Sequence, residues 1–291
     1  MKKIIYCAFG KLGFDCLKNL LENKNYNIIY ILTHKENLEF SVDTLAEREK
    51  IPYSYVDLRK DERELMGILE NNVDYLISIN YRYIIPKKIF EKVKFALNIH
   101  GSLLPKYRGR TPHVWNIING EKVTGITCHK IEKIVDTGDI IYQEKLEIKD
   151  NYTGNDLLEK MQERYPEILL KSLKKIEKGT LELKKQNEDE ATYFGKRVPE
   201  MGYISFYSNY LSIYNFIRAQ AFPYPGAYYF LENGKKILID EIEKVELSSE
   251  RINNAMIGKI INENGAYYVK CLDSIIKLSK YRFEGEYRNE K

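Results

Sequence analysis

Hydrophobic and polar positions follow two different rhythms along this chain. Up to about residue 100 the rhythm is strand, then helix. Residues 3–9 form a short apolar run rich in isoleucine that ends in a glycine turn, and residues 11–22 then place Leu12, Cys16, Leu17 and Leu20 at helical spacing. A second apolar run covers 26–33, followed by a polar loop and a helical pattern over 42–50. Residues 53–56 predict a short third strand, 61–69 a helix and 75–79 a buried strand. A helix opened by Pro86 leads to a further strand at 95–99. Such β-α alternation predicts a doubly wound, mostly parallel α/β sheet with helices on both faces.

Beyond Gly101 the texture changes. Residues 102–111 read as a loop rich in Lys and Arg, and Pro112 opens a short helix at its favoured first position. Residues 125–131 and 140–148 alternate as strands do, around a loop containing Asp136-Thr137-Gly138-Asp139. An amphipathic helix is expected over 155–178, closed by Gly179. The charged, aperiodic stretch 184–191 predicts a linker between a domain at 1–185 and a small β-rich, OB-like domain at 192–291. In that second domain a helix is expected at 209–220, with strands near 227–231, 236–239, 257–261, 267–271 and 275–278. Asn-Gly pairs at 233–234 and 264–265 signal hairpin turns.

Composition narrows the functional classes. With 291 residues, 44% hydrophobic and 30% charged, the chain has a globular balance, and its net charge of +4 does not announce a nucleic-acid binder. Cys7, Cys16, Cys128 and Cys271 are scattered, so neither a zinc site nor a disulfide framework is indicated, and no metal is expected. No apolar segment reaches the length of a membrane span and the N-terminal run lacks a cleavage site, so a cytoplasmic location is expected.

The segment richest in chemistry is N-I-H-G-S-L-L-P-K-Y-R-G-R-T-P, residues 98–112. Asn98 and His100 sit two apart at a strand end, so their side chains point to one side. That end is the carboxyl edge of the sheet, where ligands of such folds bind. Imidazole can take a proton from an attacking amine, an amide N–H can stabilise a developing oxyanion, and a carboxylate such as Asp136 can orient the ring. Taken alone, such residues are more often structural. The surrounding text changes the balance: N-x-H-x-S-L-L-P, followed by R-G and then D-x-G, resembles the 10-formyltetrahydrofolate-dependent formyltransferases.

In that family the trio is catalytic, which the resemblance carries onto Asn98, His100 and Asp136 of a Rossmann-like formyltransferase domain. It also implies 10-formyltetrahydrofolate as co-substrate and no metal. I-S-I-N-Y-R-Y-I-I-P, residues 77–86, is similar to the stretch that walls the pterin pocket, so Asn80, Tyr81 and Ile84, with Ser102 and Asp139, are expected to bind folate; core packing is an equal alternative for Ile84.

F-G-K-R-V-P-E and F-P-Y-P-G-A-Y resemble phrases of the methionyl-tRNA and amino-sugar branches. A tRNA enzyme needs many cations, yet residues 196–291 hold 14 Lys plus Arg against 12 Asp plus Glu. The resemblance therefore favours a nucleotide-linked amino-deoxysugar, with dTDP-4-amino-4,6-dideoxyglucose as the single best substrate, for surface polysaccharide such as lipopolysaccharide O-antigen. Nucleic acid and membrane are not expected partners. Arg108, Arg110, Lys196 and Arg197 are available as cations. Among 11 aromatic residues between Tyr203 and Phe230, a ring could stack the base, although packing is the commoner fate of any one. The loop at 9–13 reads as a tight turn or, through Gly10 and Lys11, as a phosphate receiver. His34, His113 and His129 lack metal spacing, and His129 reads as a member of an alternating strand. Hairpins of the second domain offer a surface for pairing two copies as a homodimer.

Overall fold

A computed structural model describes residues 1–36, 38–179, 181–246 and 248–285. The first half alternates as its pattern requires: β1 (Lys2–Ala8), α1 (Gly10–Leu21), β2 (Tyr26–Leu32), α2 (Val42–Arg48), β3 (Tyr53–Ser54), α3 (Arg63–Leu69), β4 (Tyr75–Ile79), α4 (Lys87–Phe90) and β5 (Phe95–His100). Two residues make β6 (Arg108–Gly109), then come α5 (Pro112–Ile118), β7 (Val123–Lys130), β8 (Ile140–Glu147), α6 (Gly154–Glu177) and β9 (Tyr193–Phe194). Seven strands form one sheet in the order β3-β2-β1-β4-β5-β7-β8, parallel from β3 to β5, with β7 antiparallel to β5.

Strands with both faces covered must be apolar throughout. β4 is buried along its whole length, and β1 from Ile4 onward. Alternate residues divide between the faces: Ile5, Cys7, Tyr30, Leu32, Leu76 and Ala96 pack with Leu58, Leu65 and Leu69 in one core. Strand order reverses between β1 and β4, which places a crevice at their carboxyl ends, where Asn80 Nδ2 donates to the Phe9 carbonyl at 3.3 Å.

The remaining elements are α7 (Tyr210–Ala219), β10 (Ala227–Phe230), β11 (Lys236–Val245), α8 (Glu250–Asn253), β12 (Ile260–Glu263), β13 (Ala266–Lys270) and β14 (Ile275–Phe283). The strands pair antiparallel in the order β10-β11-β14-β13-β12. Asn264 and Gly265 both take positive φ, 53° and 81°, between the directly paired Glu263 and Ala266, as a two-residue hairpin demands. Ile213 and Ile217 of α7 pack on Ile237, Ile239, Val269, Ile276 and Leu278. β11 and β14 run past the apolar stretches at 236–239 and 275–278. A register shift at Ile239–Glu241 breaks the period of two, and charged residues on the outer face disguise the rest of β11.

Contacts divide the chain discontinuously. One unit holds 1–109, 124–146 and 160–194, and the other 110–123, 147–159 and 195–291. This corrects the expectation of a charged linker at 184–191. That stretch belongs to the first unit: Lys184 bridges Ile140 through paired backbone hydrogen bonds, and β9 pairs with β6. Its polar side chains serve as internal partners, which is why no apolar period betrays them. All four cysteines are buried and free, and among the described residues no helix is long and apolar enough to cross a membrane.

Candidate active site

β5 carries Asn98 and His100 to the carboxyl edge on one face, as a period of two dictates. Antiparallel pairing then sets His129 of β7 directly opposite Asn98, and Thr127 opposite His100. Side chains so paired touch: Asn98 Nδ2 lies 3.1 Å from His129 Nε2. The loop after β7 folds back over this face. Gly138 permits it, because a Cβ there would stand 1.9 Å from the Lys130 carbonyl oxygen. Asp136 is thereby brought with Oδ2 3.5 Å from His100 Nδ1 and Oδ1 3.5 Å from His129 Nε2, while the Gly109 N–H donates to Oδ2 at 2.9 Å.

Hydrogen-bond geometry assigns the protons. His100 Nε2 sits 2.7 Å from the Tyr107 carbonyl, which can only accept, so that nitrogen carries a hydrogen. His129 Nδ1 sits 2.7 Å from the Lys130 carbonyl, so it too donates, and its Nε2 is left to accept from Asn98 or, when protonated, to face Asp136. Burial pushes the Asp136 carboxyl up, but the charge of His100, the hydrogen bond and charge of His129, and the Gly109 N–H together hold it well below the usual carboxylate range. It is therefore an anion at neutral pH although only 7% exposed.

Two residues abutting His100 sit in left-handed backbone that L side chains seldom adopt: Tyr107 at φ 61° and Asp136 at φ 61°. Such conformations persist where surrounding bonds over-determine them. Here Tyr107 N–H donates to Thr192 Oγ1 at 2.8 Å, and its ring stacks on Phe194 at 4.9 Å. Gly109 fits where any Cβ would stand 2.2 Å from the Phe194 carbonyl oxygen.

The other expected contacts divide. Asn80 is exposed at the crevice and Ile84 is 52% exposed, while Tyr81 is half-buried with its hydroxyl on the Val56 carbonyl at 3.2 Å. Asp139 is half-buried beside Gly138. Ser102 is fully buried, and its hydroxyl donates to the Lys106 carbonyl at 2.6 Å, so it shapes the turn instead of meeting a ligand. Arg108 is likewise corrected: its guanidinium is 0% exposed, and Gln186, Glu188 and Tyr193 take its hydrogens. Gly10 at the start of α1 donates its N–H to Glu36 Oε2 at 3.0 Å, so a carboxylate holds the place considered for phosphate, and Lys11 pairs with Asp15 at 2.8 Å. Arg197 donates to Met201 and Gln220 beneath Trp115, and the side chains of Arg110 and Lys196 are exposed.

Sequence patterns alone miss His129 and Gln186. His129 has the parity of an inward position on its strand, but only the antiparallel pairing puts it across from Asn98. Nothing in the sequence signals Gln186.

The formyl transferase family model matches residues 7–173, and its C-terminal domain model matches 196–288. The chain is 31% identical to the methionyl-tRNA formyltransferase of Caldanaerobacter subterraneus, over 97% of this chain and 93% of that protein. In fold it is similar to the N-formyltransferase of Helicobacter canadensis in complex with folinic acid and dTDP-3-aminofucose (TM-score 0.73, 21% identity, 96% of this chain and 99% of that one). It is also similar to WlaRD, a sugar 3N-formyl transferase with dTDP and 5-N-formyl-THF (TM-score 0.72, 21% identity, 99% of each chain). With both domain models matched in order and a relative aligned along nearly its whole length, this chain belongs to the formyl transferase family as an N-formyltransferase.

Proposed function

We propose that the chain moves the formyl group of 10-formyltetrahydrofolate onto the primary amine of a nucleotide-linked amino-deoxysugar, a dTDP-linked one, with dTDP-4-amino-4,6-dideoxyglucose first among candidates. The observation that carries the chemistry is the grouping of Asn98, His100, His129 and Asp136 around one edge of the sheet. The amine lone pair attacks the formyl carbon, and the carbonyl electrons become an oxyanion. Asn98 N–H and a protonated His100 stabilise that charge. The protonated His100 gives its Nε2 proton to the folate nitrogen as the bond from the formyl carbon to that nitrogen breaks, and the neutral ring then takes the proton that the new amide nitrogen sheds, which restores the cation. His100 is the shuttle and Asp136 its permanent counter-charge. For this, His100 Nε2 exchanges the Tyr107 carbonyl for the reacting group. The exposed Asn80 and Ile84 are the folate contacts this reading keeps.

Two things support a sugar acceptor. Two sugar N-formyltransferases match this fold along nearly the whole of both chains. Charge in residues 196–291 is close to balanced, and withdrawal of Arg108 into the interior leaves fewer cations for a polyanion. The methionyl-tRNA reading is favoured by the 31% identity to the Caldanaerobacter enzyme. An assay decides: the protein is given 10-formyltetrahydrofolate with dTDP-linked 4-amino and 3-amino sugars, and separately with charged initiator tRNA. Formylation of a sugar is expected, and of the tRNA alone would overturn the assignment. His100→Ala is expected to lower kcat by roughly 10²–10⁴-fold with the fold intact.

A further inference from the structure

Gln186 touches no residue of the trio through a side chain, yet its carboxamide is committed on both edges. Nε2 donates to the backbone carbonyls of Asp136 at 2.8 Å and Gly138 at 2.7 Å. Oε1 accepts from Arg108 Nε at 3.1 Å and Nη2 at 2.8 Å. Arg108 in turn spends its other hydrogens on Glu188 and Tyr193, so all five donors of a fully buried guanidinium are used. The stretch 184–194, which carries Gln186 and Glu188, is also tied down by its backbone, since Arg108 N–H donates to the Thr192 carbonyl at 2.9 Å. One planar amide thus fixes both ends of the Asp136–Gly138 turn against a rigid cation.

We infer that Gln186 is a positioning residue for the reaction: the strap 184–194, through this amide, holds Asp136 in left-handed backbone with its carboxylate between His100 and His129. The inference rests on the reading of Asp136 as the carboxylate that orients His100. A turn held at φ 61° relaxes toward ordinary backbone when its carbonyls lose their donors, and a carboxylate already 3.5 Å from His100 Nδ1 has little distance to spare. Groups of this kind, one step behind the reacting residues, shift activity by about 10–100-fold when removed.

Gln186→Glu separates positioning from mere stability. It keeps the shape and an acceptor for Arg108 but puts oxygen where two carbonyls need hydrogen. With 10-formyltetrahydrofolate and the amine that the acceptor assay selects, kcat is expected to fall about 10–100-fold. KM for both substrates should stay within about threefold, and the thermal midpoint should move no further than in Glu188→Gln, which weakens the Arg108 tie without touching the turn. Gln186→Met, equal in length and without polarity, should show the same split between kcat and KM. Against an Asp136→Asn background, either Gln186 change should cost less than about twofold, because residues that act through one another are not additive. Wild-type kcat in both Gln186 variants, or full additivity with Asp136→Asn, would sink the inference alone. Wild-type rate in Asp136→Asn would instead sink the reading of the site on which it rests.

Discussion

His129 shows how a residue gains a role from its neighbours. Its ring closes a loop of contacts in which Asn98 Nδ2 and Asp136 Oδ1 both approach Nε2. Truncation leaves an amide donor and half a buried carboxylate without a partner, each a loss of about 1–3 kcal/mol. His129→Ala should therefore lower both the thermal midpoint and kcat, the latter by about 10–100-fold; melting curves and steady-state rates on the same preparation test this, and an unchanged kcat would remove His129 from the site. Asp136 acts on stability as a depressed carboxyl must. Its contribution is present above the ordinary carboxylate pKa near 4 and is lost only as pH falls toward its lower folded value.

At the scale of elements, the decisive feature is the turn between β7 and β8. It works because one strand runs antiparallel in an otherwise parallel sheet, which returns the chain across His100, and because Gly138 lets the turn lie against the Lys130 carbonyl. Gly138→Ala puts a methyl group 1.9 Å from backbone oxygen, so the turn must lift. The expected result is a destabilisation of about 1–3 kcal/mol and a fall in kcat out of proportion to it, read from denaturant melts beside rates measured well below the midpoint. Wild-type turnover in a folded Gly138→Ala protein would show that the turn's height does not matter. The strap 184–194 is the complementary element. Its residues look like a solvated linker, but Lys184, Gln186, Glu188 and Thr192 each bond into the first unit.

At the scale of the whole molecule, the two units carry different pH sensitivities. In the second, burial pushes the His113 ring down to about 4, with Nε2 2.8 Å from the Tyr224 hydroxyl. An unfolded histidine titrates near 6.5, so between those values the unfolded chain binds the extra proton. Stability from His113 is complete above about pH 6.5 and is lost as pH falls toward 4. Melts at pH 7.5 and 5 should show a larger drop for the wild type than for His113→Gln; equal drops would exclude the ring. The sequence by itself determined the β-α alternation, the antiparallel second sheet with its Asn264-Gly265 turn, and the placing of Asn98 and His100 on one side of a strand end. These come from periodicity and turn chemistry, which are local. Only the tertiary structure decided that His129 lies beside Asn98 and Asp136, that Arg108 is spent on the interior, that Glu36 holds the start of α1, and that residues 184–191 strap the Asp136–Gly138 turn. Each of those depends on which distant strands pair and which charges find partners, and no local pattern encodes the partner of a side chain 26 to 80 residues away.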